Sequence, residues 1–394
     1  MLHRRFLSLS VAALTLFAAC SGDDTTIGSP EPTTIANAGT DSVPGDSVPP
    51  SLDVTAGAAF PAARCEANKA AGKITYLSGY DYTASASIVD VLVAKAKGYY
   101  EALCLDVEVK PSFSIDNYPL VAANDAQFAS AGSFSEMVDF AGANDAGFLA
   151  LAVEGRTGID TLITKDGEVP TIDDIKGKKL GANGGVITPS VKAMLAKAGL
   201  LEGDDYEVVS FDNQYDPMIN IAVPDIVGFP AFKSNEPGQL DARGVKYKLY
   251  DPADYDIPGS FGVLYTNLTF LAEFPSAAQD FMRATMRGLA DAVADPTAAA
   301  LIAVDAINES GNAIFLSPEG ETARWRVESK LVAQDVTASA PLGLPLIDQL
   351  VREVTTYAEI GLFDGVAPVI DTMVDDSVLL GVYDDTGTVI WPAG

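Results

Sequence analysis

The chain has 394 residues, 48 % of them hydrophobic, and its 54 acidic against 25 basic side chains give a formal net charge of −29. Such acidity argues against nucleic acid or anionic headgroups as partners, because phosphate binding relies on Lys and Arg. The single histidine, His3, leaves the body of the chain without imidazole as base, nucleophile or metal ligand, which excludes the commonest catalytic and zinc designs, and no cofactor is expected.

In chain order, Arg4 and Arg5 precede an apolar run from Phe6 to Ala19, with the small residues Ala18 and Ala19 just before Cys20. This is the layout of an export signal. The run is too short to span a bilayer, which takes about 20 apolar residues. "FAAC" resembles the bacterial lipobox, in which the cysteine becomes the lipidated first residue; a plain secretory signal is the alternative. Residues 20–65, with "SPEPTTIANAGTDSVPGDSVPPS", are too polar and Pro-rich to bury a core, and are expected to form a disordered tether. Outside the cytoplasm the remaining cysteines, Cys65 and Cys104, are most simply a disulfide, with two free thiols as the alternative.

From residue 66 onward, short β-rich runs alternate with helix-length amphipathic ones. "KITYLSGYD", "LDVEVKPSF", "AQFASAG", "FLALAVE" and "IDTLITKD" predict strands, and "SIVDVLVAKAKGYYEALC" predicts a helix. Further on, "KKLGANGG", "YEVVSFD" and "DIVGFPAFK" predict strands separated by the helix "TPSVKAMLAKAGL" and a short one near Pro217. The alternation predicts an α/β fold with mainly parallel sheets covered on both faces, and ligands in such folds sit at the carboxyl ends of strands. "PEGETARWRVESKLVAQDV" and "LIDQLVREVTTYAEIGLFDG" predict C-terminal helices packed on the first lobe, with Trp325 in the core. The tail "GVYDDTGTVIWPAG" predicts a hairpin at "DDTG".

Three stretches carry a family resemblance. "VAKAKGYYEALCLDVEV", "IDDIKGKKLGANGGVITPSVKAMLAKAGL" and "SNEPGQLDARGVKYKLYDPADYDIP" followed by "FGVLYTN" resemble class II solute-binding proteins of ABC importers. The branch is that of thiamine-pyrimidine-precursor binders and related vitamin binders, with alkanesulfonate and nitrate binders as neighbours. The likeness runs from about Gly72 to Asp295. Cys104 stands where the family usually has Gly, which fits a disulfide to Cys65. The resemblance implies a periplasmic-binding-protein type II fold: lobe one from residues 66–165 and 266–394, lobe two from 166–265, two crossings between them, and hinge closure on a small molecule. It also implies a non-enzymatic, monomeric receptor, lipid-anchored through Cys20 outside the bacterial cell membrane beside its permease.

Candidate ligand contacts follow from the strand-end loops. In "GYDYT", Tyr80, Asp81 and Tyr82 suit a flat, nitrogen-rich ring, the rings stacking and the carboxylate accepting N–H groups. "KPSFS" offers Ser112, Phe113 and Ser114, and "AGSFSE" has Ser133 and Glu136 at capping-box spacing. In lobe two, Gly184, Gly185 and Thr188 open a helix, Asn213, Gln214, Tyr215 and Asp216 form a dense polar cluster, and Phe229, Glu236 and Tyr265 lie near the crossings. Arg156, Arg243, Arg283, Arg287, Arg324, Arg326 and Arg352 all sit outside these loops, which disfavours a sulfonate, nitrate or phosphate and favours a neutral or cationic heteroaromatic such as a thiamine pyrimidine precursor, with a riboflavin-like vitamin next. The reading from a different class is an enzyme like the fungal pyrimidine synthases, which share the fold; the want of a histidine in the body of the chain disfavours it.

Overall fold

The computed structural model describes residues 52–211, 216–310 and 317–393. Within them ten strands make two five-stranded sheets. The first has the order β2–β1–β3–β10–β4, from β1 (Lys73–Leu77), β2 (Asp106–Lys110), β3 (Phe128–Ala131), β4 (Phe148–Gly155) and β10 (Phe261–Asn267). The second has the order β7–β6–β8–β5–β9, from β5 (Asp160–Lys165), β6 (Lys179–Asn183), β7 (Glu207–Phe211), β8 (Gly228–Phe232) and β9 (Tyr247–Tyr250).

The strands β3, β4 and β10 are buried at every position, as expected of central strands covered on both faces. Alternate residues serve two cores. Leu149 and Leu151 face the helices Val89–Ala96 and Pro275–Ala294, whereas Ala150 and Val153 face the helix Phe134–Asn144. Lobe two repeats the plan on a smaller scale around Leu162, Leu180, Val191 and Met194.

The two-lobed α/β architecture matches the sequence expectation, and the structure refines it in three places. Four of the described strand pairings are parallel and four antiparallel, so the sheets are mixed. The cause is an exchange between halves: β10 returns from lobe two and enters sheet one antiparallel to β3 and β4, and β5 enters sheet two antiparallel to β8 and β9. Because β5 already pairs in lobe two and β10 in lobe one, the crossings lie at residues 156–160 and 258–261, not at 165 and 265.

The expected tether does not extend to residue 65. Residues 1–51, including Cys20, lie outside the described residues, but 52–65 pack on lobe one. The helix Ala62–Ala70 is fixed by the Cys65–Cys104 disulfide. Arg64 donates to buried Asp280 at 2.6 Å, and Asp280 also accepts from Asn68 and Arg283. The C-terminal tail closes over the same region. Ala393 N–H donates to Ala58 C=O, and the Arg287 guanidinium lies 4.5 Å from the Tyr99 ring and 4.2 Å from that of Trp391. A one-bridge hairpin does form at residues 383–389.

The crossings touch each other. A Cβ on Gly259 would lie 2.7 Å from the Gly158 Cα, so only bare backbone fits there. The helix Ile347–Glu359 pins both connectors: the Gln349 amide donates to Arg156 C=O at 2.7 Å and to Gly259 C=O at 2.8 Å, and the Tyr357 hydroxyl to Pro258 C=O at 3.0 Å. It packs on both lobes, not on lobe one alone, with Leu350 and Val354 in the core of the first and Tyr357 in that of the second.

Candidate functional site

A cavity of about 250 Å³ lies between the lobes at the ends of the strands. Sheet one contributes its turns: Gly79 and Tyr80 follow β1, Gly132 follows β3, and Phe261 and Gly262 open β10. Lobe two closes it with Phe232, Ser234 and Asn235 at the end of β8. The helix Pro318–Val332 adds Arg324 and Glu328. A wider cavity of about 640 Å³ adjoins it, sharing Tyr80, Ser234, Asn235 and Arg324 and reaching Asp216 and Arg243.

Of the expected contacts, Tyr80 lines both cavities, held by an edge-on Phe113 ring 5.7 Å away, centroid to centroid. Ser114 and Glu136 line the inner one and are joined, the Ser114 hydroxyl donating to Glu136 Oε1 at 2.7 Å. Only half the capping box forms. Ser133 accepts from the Glu136 N–H at 3.2 Å, but the Glu136 carboxylate turns to the cleft instead of reaching back. Asp216 reaches the outer cavity, where it caps the helix Pro217–Ala222 and pairs with Arg243.

The other expected contacts have structural roles. Asp81 is 1 % exposed, and its carboxylate accepts from the next N–H, that of Tyr82, at 2.7 Å. Burial pushes its carboxyl above the usual range. The Tyr82 hydroxyl donates to Val109 C=O at 2.9 Å, and burial raises its phenol to about 12. The Ser112 backbone joins the Ser78 hydroxyl and the Asp81 N–H. Gly184 and Gly185, at φ of +65° and +73°, turn the chain after β6 without lining either cavity, and Thr188 starts the next helix with its hydroxyl buried. Glu236 folds back to accept from the Phe232 N–H at 2.8 Å. Phe229 and Tyr265 are corrections: the alternation along β8 and β10 turns both rings into the cores, 1 % and 0 % exposed. Asn213, Gln214 and Tyr215 lie outside the described residues.

The sequence predicted the helix Pro318–Val332 but gave its charged residues no place in the site. Its residues Glu321, Arg324 and Glu328 recur at helical spacing, and all three are buried. They organise the loop that faces the ligand space. Backbone N–H groups of Ala84 and Ala86 donate to Glu321 at 2.9 Å and Glu328 at 2.7 Å, and that of Ser87 to Glu154 at 3.0 Å. Three donors that could have greeted an anion are thus taken up from behind by carboxylates. Arg324 is likewise engaged, its Nη1 donating to both Glu321 oxygens and its Nη2 to Asn235 Oδ1 at 3.2 Å.

Among the described residues lining the inner cavity, the charged side chains are Glu136, Glu328 and Arg324. Burial raises Glu328, against the lowering effect of its bonds from Ala86 and Ser234. Behind the loop, Asp90 and Glu154 face each other fully buried. Desolvation lifts Asp90 to about 6, and burial with Asp90's charge lifts Glu154 well above the usual carboxylate range.

The sequence profile of the family described as "NMT1/THI5 like" matches residues 85–299, more than half of the chain. Riboflavin-binding protein RibY of Chloroflexus aurantiacus is 25 % identical over 325 residues, covering 79 % of this chain and 80 % of that protein. Among solved structures, a periplasmic sulfonate-binding protein SsuA of Methylobacillus flagellatus superposes with a TM-score of 0.55 at 17 % identity, over 78 % of this chain and 92 % of the other. The ligand-binding component of an ABC-type import system from Staphylococcus aureus, solved with zinc bound, gives 0.56 at 14 % identity over 80 % and 99 %.

Proposed function

This chain belongs to the NMT1/THI5-like family, and from that premise we propose that it is the extracytoplasmic receptor of an ABC importer, capturing a small heteroaromatic nutrient by closure of its two lobes. The observation that carries the ligand class is the inner cavity: Tyr80 and Phe232 offer apolar ring surface, Glu136 offers an acceptor, and the nearby loop amides and Arg324 are already engaged. A thiamine pyrimidine precursor fits this description. A riboflavin-like vitamin is the second reading, supported by the likeness to RibY and by the room in the adjoining 640 Å³. An alkanesulfonate or nitrate would need a free cation or free N–H groups where these are occupied.

In this reading Cys20 carries the lipid that holds the receptor beside its permease, and the protein works as a monomer. One acyl chain binds membranes only marginally, so more than one is expected on Cys20.

Thermal shift followed by calorimetry with hydroxymethylpyrimidine, riboflavin and an alkanesulfonate tests the ligand class. A heteroaromatic that raises the melting temperature and titrates at one site supports it. Tight binding confined to the sulfonate would overturn it.

A further inference from the structure

The lobes are bridged across the cavity by one buried carboxylate. Glu328 Oε2 accepts from the Ala86 N–H of lobe one at 2.7 Å, and Glu328 Oε1 accepts from the Ser234 hydroxyl of lobe two at 2.7 Å. One turn earlier on the same helix Arg324 reaches Asn235, the next residue of lobe two. The helix is anchored to lobe one by Trp325 and Val332 in its core, and Trp325 Nε1 donates to Ala292 C=O at 2.8 Å. The four polar groups of this bridge are not remote from the ligand space: Arg324, Glu328, Ser234 and Asn235 all line the inner cavity.

We infer that Glu328, supported by Arg324, is a latch that holds lobe two over the cavity and so sets how long a captured ligand stays. The physical reasoning has three steps. Glu328 and Ser234 are buried, 4 % and 7 % exposed, so their bond is shielded from water and an unmade partner would be left unsatisfied. The bond joins lobes whose other connections near the pivot do not depend on it, so its loss favours opening without unfolding either lobe. Glu328 is fixed to the Ala86 N–H in the loop that lines the cavity, so a ligand pressing on that loop alters the strength of the latch. That last step rests on the receptor reading above; the latch itself does not.

The test uses the full chain with spin labels on Ile115→Cys and Val186→Cys, exposed positions on lobe one and lobe two. Inter-lobe distances are measured without ligand in wild type, Ser234→Ala, Glu328→Ala and the double variant. Riboflavin is the kinetic probe. Ser234→Ala and Glu328→Ala should each enrich the longer distances, and the double variant should go little beyond Glu328→Ala, because the two act through one bond. The riboflavin dissociation rate should rise about tenfold in Ser234→Ala with association unchanged, as for loss of one hydrogen bond to a charged group. Ser234→Ala removes a single hydroxyl, which keeps the test decisive if Glu328→Ala does not fold. Wild-type distances in Ser234→Ala, or additive opening in the double variant, would overturn the latch. If riboflavin does not bind the wild type, the ligand reading fails for that vitamin and the distances alone decide the latch.

Discussion

Tyr80 and Tyr82 stand two residues apart in one turn and have opposite fates. The Tyr80 ring faces the cavity, whereas the Tyr82 hydroxyl is bonded to Val109 C=O. Sequence composition cannot separate them, because the choice is made by Asp81, whose φ of +49° and buried carboxylate turn the chain between them. Calorimetry should show Tyr80→Ala weakening ligand binding about tenfold, the value of a lost aromatic contact, and Tyr82→Phe leaving affinity unchanged. Asp90 carries a second prediction at this scale. A carboxyl whose folded value, here about 6, exceeds its unfolded value near ~4 holds its proton more tightly in the native state. Its contribution to stability is therefore present at low pH and lost as the pH rises through that window. Asp90→Asn should flatten this decline and raise stability at pH 8 by on the order of 1–3 kcal/mol, read from urea midpoints across pH.

At the scale of elements, eight of the ten strands and several helices were legible because apolar runs and turn residues mark them locally, whereas β9, β10 and the helices Ser114–Ala122, Pro275–Ala294 and Pro296–Ser310 were not predicted. The exchange of β5 and β10 between sheets was not, since which sheet a strand joins depends on pairing across long stretches of chain. The helix Pro318–Val332 was itself legible but its part in the site was not, because its charged residues find partners on two segments distant in the chain, the loop at Ala84 and Ala86 and the turn at Ser234 and Asn235. The N-terminal helix Ala62–Ala70 was hidden by the tether-like composition before it, and its hold on lobe one is testable. Asp280 accepts from Arg64, Asn68 and Arg283, so Asp280→Ala leaves two buried guanidinium groups without their carboxylate. A loss of about 3–5 kcal/mol in chemical denaturation is expected. Replacing Cys65 and Cys104 by Ala should cost less than the ~4 kcal/mol that loop entropy allows, because the Arg64 pair still fastens the same helix.

Across the whole molecule, the acidic surface, two lobes and intervening cavity were read from sequence in kind, but the position of the pivot came only from the structure. The two connectors meet at Gly158 and Gly259, and Gly259→Ala would force their backbones apart. Small-angle scattering should then report a changed resting separation of the lobes while each lobe keeps its fold by circular dichroism. The pivot joins two bare peptide segments to a helix, Ile347–Glu359, that is bonded to both and seated in both lobes, so the axle carries a stop of its own. Whatever acts far from it works with leverage, and a few kcal/mol at the rim can reverse which form predominates.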